Sequence, residues 1–117
     1  MDLTALFKMS YGLYVVCADD GAQRAGCIVN TATQVTADPV QIMVAGHKDN
    51  VTTGVIERAG AFSVTVVDRT ADMPYIGNFG FRSSATYDKF EKYETRVSEV
   101  GAPYCPEHAC ALVACRL

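Results

Sequence analysis

Between Tyr11 and Ala18 the chain runs Tyr-Gly-Leu-Tyr-Val-Val-Cys-Ala, mostly aromatic and β-branched, and Asp19-Asp20-Gly21 follows with turn chemistry. That pattern predicts a strand ending in a hairpin tip. Upstream, Leu3, Leu6 and Phe7 fall at helical spacing behind Asp2, an acidic N-cap candidate, which predicts a short amphipathic helix over Asp2 to Ser10. The run Gly26 to Thr36 is rich in Val, Thr and Ile, carries Asn30 and Gln34 within it, and is ended by Asp38-Pro39. It predicts a second strand with polar residues at its centre. Val40 to Ala45 predicts a third, and Gly46-His47-Lys48-Asp49 leads to Asn50, a suitable N-cap for a short helix over Val51 to Arg58.

Gly60 closes that helix, and Phe62, Val64 and Val66 then alternate with Ser63, Thr65 and Val67, the period of a half-buried strand. Asp72 to Phe79 predicts a second short helix, broken by Gly80, and Phe81 to Tyr93 is a polar connection with at most one helical turn. A connection of that length inside a small domain is usually functional. After Gly101-Ala102-Pro103, the apolar segment Ala109 to Leu117 predicts a last strand. Strands dominate, and they do not alternate with long helices as a parallel sheet requires. The expectation is a mainly β fold with short helices, an antiparallel barrel forming one domain over residues 1–117.

At 117 residues, half of them hydrophobic and a fifth charged, the chain suits a single packed core. A net charge of -3, with Lys and Arg scattered, offers no field for a polyanion, so nucleic acid is not an expected partner. No apolar run approaches the roughly 20 residues of a membrane span. Asp2 stands where a secretory signal would carry basic residues, and no long apolar stretch follows, so the expected location is the cytoplasm. The five cysteines are then expected as thiols, and the glycosylation-like Asn50-Val51-Thr52 needs another explanation.

Three segments carry candidate chemistry. At Gly46 to Thr52 a helix start offers unpaired backbone N–H groups and the positive end of a dipole, with Lys48, Asn50 and Thr52 around it, which suits a phosphate; an ordinary capped helix fits as well. In Gly80-Phe81-Arg82-Ser83-Ser84 the Arg82 fork and adjacent hydroxyls suit phosphate oxygens, or a plain surface turn. In Asn30-Thr31-Ala32-Thr33-Gln34 small and polar residues would let a flat ligand approach the backbone and find donors and acceptors, or face solvent. Cys105, Cys110 and Cys115 recur every fifth residue, unlike zinc-knuckle spacing, and no metal site is expected. His47 and His108 stand far apart with no nucleophile in a triad context, and Glu91, Glu94 and Glu107 read as solvated charges.

Taken in order, Tyr11 to Val16, Gly26 to Thr36, Lys48-Asp49-Asn50-Val51-Thr52 and Phe79-Gly80-Phe81-Arg82-Ser83 resemble the flavin reductase-like, FMN-binding family. The resemblance covers almost the whole chain and is nearest to the branch found alone or fused to a rubredoxin module in anaerobic bacteria. It implies an FMN-binding split β-barrel acting as a homodimer. By that resemblance Asn30, Thr31, Ala32, Thr33, Gln34 and Val35 would face the isoalloxazine ring and ribityl chain. Lys48, Asn50, Thr52, Arg82 and Ser83 would surround the phosphate. The implied function is an FMN-dependent oxidoreductase that passes electrons from NAD(P)H or a protein donor to flavin, rubredoxin or another acceptor; the alternative is a non-catalytic FMN-binding module or a dimeric remnant lacking the nicotinamide site. Two departures bear on this. Where relatives commonly have Ser-Gly-Arg, this chain has Ser83-Ser84-Ala85. Relatives also continue through further strands, one bearing a histidine linked to nicotinamide use, so the expected barrel is truncated after Leu117, with dimerisation covering the edge left by Ala109 to Leu117.

Overall fold

The computed structural model describes residues 12–117. The helix expected over Asp2 to Ser10 lies outside the described residues. Four antiparallel strands form the main sheet in the order β2 (Arg24–Val29), β1 (Tyr14–Asp19), β5 (Ala61–Val67) and β8 (Ala109–Arg116). Two two-stranded ribbons accompany it: β3 (Ala32–Ala37) with β4 (Val40–Val44), and β6 (Arg96–Val97) with β7 (Pro103–Tyr104). Helices α1 (Val51–Ala59) and α2 (Met73–Gly80) complete the fold. The architecture is mainly β and antiparallel with two short helices, as the pattern predicts. Its strands fall in three separate sheets among the described residues.

β1 explains why this sequence needs two helices. Its run Val15-Val16-Cys17-Ala18 is buried on both faces, because successive side chains of a strand point opposite ways. Val15 and Cys17 enter a cluster with Tyr75, Phe79, Phe90 and Cys105, supplied by α2 and the segments after it. Val16 and Ala18 enter a second cluster with Ala25, Val55, Phe62 and Val64, closed by α1. Fully burying side chains such as Tyr75, Phe79 and Val55 contributes on the order of 1.5–3 kcal/mol each. Burial of this kind, more than intrinsic propensity, holds helices of eight or nine residues.

The helix ends follow their capping residues. Asn50 Oδ1 accepts from Thr52 N at 2.9 Å, and Gly60, at φ 72°, turns α1 off in the left-handed region while its N–H bonds Ile56 O. Asp72 caps α2 by accepting from Tyr75 N at 3.0 Å, with Pro74 in the first turn.

One predicted element is corrected. The run Gly26 to Thr36 is not a single strand: β2 ends at Val29, and Asn30-Thr31 bends the chain out of the main sheet into the β3–β4 ribbon. The bend is fixed by polar side chains. Asn30 Nδ2 donates to Gly12 O at 3.1 Å, and Thr31 meets Ala45 through its carbonyl and hydroxyl. Periodicity could not register this, because Asn and Thr are tolerated in a strand while competing locally for backbone partners. β8 pairs only with β5 and so lies at an edge of the main sheet among the described residues.

Candidate functional site

The loop Phe81 to Tyr93 is anchored through one residue of β2. Gly26 N–H donates to Ser84 Oγ at 3.2 Å, Ser84 Oγ donates back to Gly26 O at 3.3 Å, and Lys89 Nζ donates to that same carbonyl at 2.5 Å. Glycine is needed there, since a Cβ would stand 3.0 Å from Cys17 Sγ and 3.3 Å from the Phe90 ring. Gln23 Nε2 to Ser84 O, Asn78 Nδ2 to Lys89 O and an Arg24–Asp88 ion pair at 2.8 Å add further ties. A polar loop is thereby held to the sheet at both ends.

This anchoring sets Arg82 and Ser83 against the start of α1. A cleft of about 270 Å³ lies between them, lined on one side by Asp49, Asn50 and Val51 and on the other by Gly80 to Ser84 and Lys89. The two sides of the cleft thus come from segments some thirty residues apart that the sequence marks as anion-friendly, and the fold brings them together. The nine-residue helix α1 presents its N-terminus to the cleft. Arg82 stacks its guanidinium 4.4 Å from the Tyr87 ring centroid and has no carboxylate partner among the described residues. Asp49 is the acidic residue in this lining, and its carboxylate stands 3.8 Å from His47 Nδ1 in solvent.

Lys89 is the residue that sequence reading missed. It is only 3% exposed, yet its ammonium faces no carboxylate; it bonds the carbonyls of Gly26 and Phe79, the latter at 2.8 Å. Burial lowers its pKa from the ordinary lysine value, while Cys27 and Cys17 act the other way. An ammonium has three donors, so two carbonyls leave one over at the wall of the cleft. In sequence Lys89 sits among Asp88, Glu91 and Lys92, where nothing separates it from an ordinary surface charge. Only the adjoining Phe90, an apolar residue in a charged stretch, signals that this loop dips into the core.

The remaining predicted residues divide. Asn50, Arg82 and Ser83 line the cleft. Thr52 lies just behind the cap, 1% exposed, with a hydroxyl that has no hydrogen-bond partner. Lys48 is exposed on the turn before α1, outside the cleft lining. Asn30, Thr31, Ala32, Thr33, Gln34 and Val35 lie on the bend and the β3–β4 ribbon, which feeds directly through Ala45 into the turn before α1. They form a separate, largely exposed surface, and Gln34 uses its amide on Thr36 O at 3.2 Å.

The five cysteines are unpaired thiols; burial raises the pKa of Cys17, Cys27, Cys105 and Cys115. Such thiols are poor nucleophiles. No group of three or more His, Cys, Asp or Glu gathers as a metal cage among the described residues. No helix among them is long and apolar enough to cross a membrane.

A donor set of helix N-terminus, guanidinium, ammonium and serine hydroxyl around one cleft fits a phosphate group. Residues 6–117 match the flavin reductase like domain, and the chain belongs to that family. It is 40% identical over 113 residues to a ferric-chelate reductase (NAD(P)H) of Archaeoglobus fulgidus, an alignment covering 97% of this chain and 67% of that protein. It is 38% identical over 111 residues to a high molecular weight rubredoxin of Moorella thermoacetica, covering 95% of this chain and 48% of that one. The chain therefore spans about two thirds of the first relative and about half of the second. Among solved structures, the fold matches a Streptomyces globisporus NADH:FAD oxidoreductase with TM-score 0.84 at 23% identity, over 97% of this chain and 68% of that one. It also matches the flavoredoxin of Methanosarcina acetivorans with TM-score 0.81 at 20% identity, over 91% of this chain and 56% of that one.

Proposed function

We propose that this chain is the flavin-binding part of a flavin-dependent oxidoreductase, taking FMN with its phosphate in the cleft between the α1 N-terminus and Arg82, Ser83 and Lys89. The observation that carries this reading is the convergence of four kinds of phosphate donor on one cleft of about 270 Å³. Asn50 holds the helix start in place, Arg82 offers a fork kept in position by Tyr87, and Lys89 supplies charge from a desolvated position. A flavin held there by Asn50, Arg82, Ser83 and Lys89 would supply two-electron redox chemistry between a reduced nicotinamide and an electron acceptor. The protein's part is to hold the cofactor and exclude competing reactions. The exposed ribbon segment Asn30 to Val35, joined to the phosphate turn through Ala45, is the surface assigned to the isoalloxazine ring.

Two features support assembly as a homodimer. Val35, Val40 and Met43 of the ribbon are 52%, 71% and 57% exposed, and one edge of β8 has no strand partner among the described residues. The names of the relatives support NAD(P)H as donor and an iron chelate or a rubredoxin-type module as electron partner. A cytoplasmic location accords with five unpaired thiols.

The test is anaerobic addition of NADH, then NADPH, to the desalted FMN-loaded protein. Bleaching of the flavin absorbance is expected. Retained absorbance that neither nucleotide bleaches would overturn the reductase reading in favour of a binding module; loss of all flavin on desalting would overturn the binding reading as well.

A further inference from the structure

The segment that carries Lys89 is gripped from the main sheet by two residues of β2. Arg24 and Gly26 stand two apart on that strand and so face the same way. Gly26 holds the Ser84 hydroxyl and the Lys89 ammonium on its backbone groups. Arg24 grips the residues on either side of Lys89: its Nη2 donates to Asp88 Oδ2 at 2.8 Å, and its guanidinium lies 5.0 Å from the Phe90 ring centroid. The other Asp88 oxygen accepts from Phe90 N at 3.1 Å, which closes a short side-chain turn over Lys89. Asp19 faces Arg24 across the β1–β2 register but uses its carboxylate on Gly21 N at 2.8 Å, which leaves Arg24 to the loop.

Arg24 and Asp88 stand outside the cleft lining, whereas Lys89, between the two contacts of Arg24, is part of it. Their side chains are 39% and 45% exposed, and an ion pair so placed adds little to global stability. What the pair fixes is geometry. Asn78 holds the Lys89 carbonyl at 2.6 Å, Arg24 sets Asp88 and Phe90, and the backbone on both sides of Lys89 is thereby held while its third ammonium donor is left for the cleft. We propose that Arg24 and Asp88 are positioning residues for the phosphate cleft: acting together through the turn from Asp88 to Phe90, they aim Lys89 and so set how strongly this chain prefers a phosphorylated flavin to the same flavin without its phosphate. This rests on the phosphate assignment above.

The test is a fluorescence titration of the flavin-free protein with FMN and riboflavin, for the natural chain, Arg24→Gln, Asp88→Asn and the double variant. Because the readout is the ratio of the two affinities, any common loss of folded protein cancels. Each single variant should lower that ratio about five-fold. The double variant should also lower it about five-fold, rather than the roughly twenty-five-fold of two independent losses. The sign of the Asp88→Asn effect separates positioning from charge: removing a carboxylate near the phosphate would tighten FMN if charge alone mattered, whereas a lost brace weakens it. FMN binding unchanged or tightened in Asp88→Asn overturns the proposal while leaving the phosphate cleft intact. So does an additive loss in the double variant, or a fall of FMN and riboflavin affinity by the same factor. A natural chain that binds FMN no more tightly than riboflavin overturns the phosphate assignment itself, and this proposal with it.

Discussion

Replacing Lys89 by Met removes the buried ammonium while keeping a flexible apolar stem of similar length. In the natural chain that ammonium bonds the carbonyls of Gly26 and Phe79, at 2.5 and 2.8 Å, and so ties β2 to the end of α2. Hydrogen bonds to charged groups contribute about 1.5–3 kcal/mol each, so two lost bonds cost about 3–6 kcal/mol. Releasing a desolvated charge offsets part of this, leaving a net loss of about 3 kcal/mol. For a domain of this size that lowers Tm by roughly 12 °C. The measurement is thermal and urea unfolding of the flavin-free protein by circular dichroism, so that no bound ligand adds to the stability. The same variant should weaken FMN by about ten-fold or more and riboflavin far less, because the lost charge faces the phosphate cleft. A Tm within about 2 °C of the natural chain would refute the clamp, and equal loss of FMN and riboflavin would refute the electrostatic role.

Arg82→Ala should weaken FMN about ten-fold with riboflavin little changed, whereas Lys48→Ala should have a smaller effect, since Lys48 stands outside the cleft lining; fluorescence titrations compare them directly. Asn50→Ala should cost about 1 kcal/mol of stability in urea unfolding through loss of the bond to Thr52 N. At high pH the raised thiols Cys17, Cys27, Cys105 and Cys115 ionise more readily in the unfolded chain, so stability present below the ordinary thiol value of about 8.5 falls as pH rises above it. The lowered Lys89 acts oppositely, and the thiols outnumber it, so unfolding midpoints should decline above about pH 9. At low pH, Asp20 beside Arg58 and Asp88 beside Arg24 are held below the ordinary carboxylate value. Their stability is present above that value and is lost as pH falls through their folded-state values, so Asp88→Asn should flatten the acid side of the unfolding profile.

The elements that sequence pattern predicted well are those whose residues serve one dominant demand. β5 and β8 are apolar strands, and α1 and α2 carry caps at Asn50, Gly60 and Asp72 whose geometry the residue types dictate. The break at Asn30-Thr31 was hidden because it depends on contacts with Gly12 and Ala45, distant in sequence. Within the site, Asn50, Arg82 and Ser83 were legible because helix starts and Arg-Ser turns suit anions wherever they occur. Lys89 was not, because burial of a lysine is decided by what surrounds it in the fold, here the Asn78 amide on its carbonyl and the Gly26 and Phe79 carbonyls on its ammonium. Ser84 replaces an expected glycine, and the structure shows what it does instead: it bonds both polar groups of Gly26 and fixes the loop.

If a flavin phosphate sits between the α1 N-terminus and Arg82, Ser83 and Lys89, the affinity ratio of FMN to riboflavin for the flavin-free protein must report it. Desolvated charge-assisted contacts predict FMN at least about a hundred-fold tighter, a difference of about 2.7 kcal/mol that shrinks with added salt. Equal affinities for the two flavins, insensitive to salt, would contradict it.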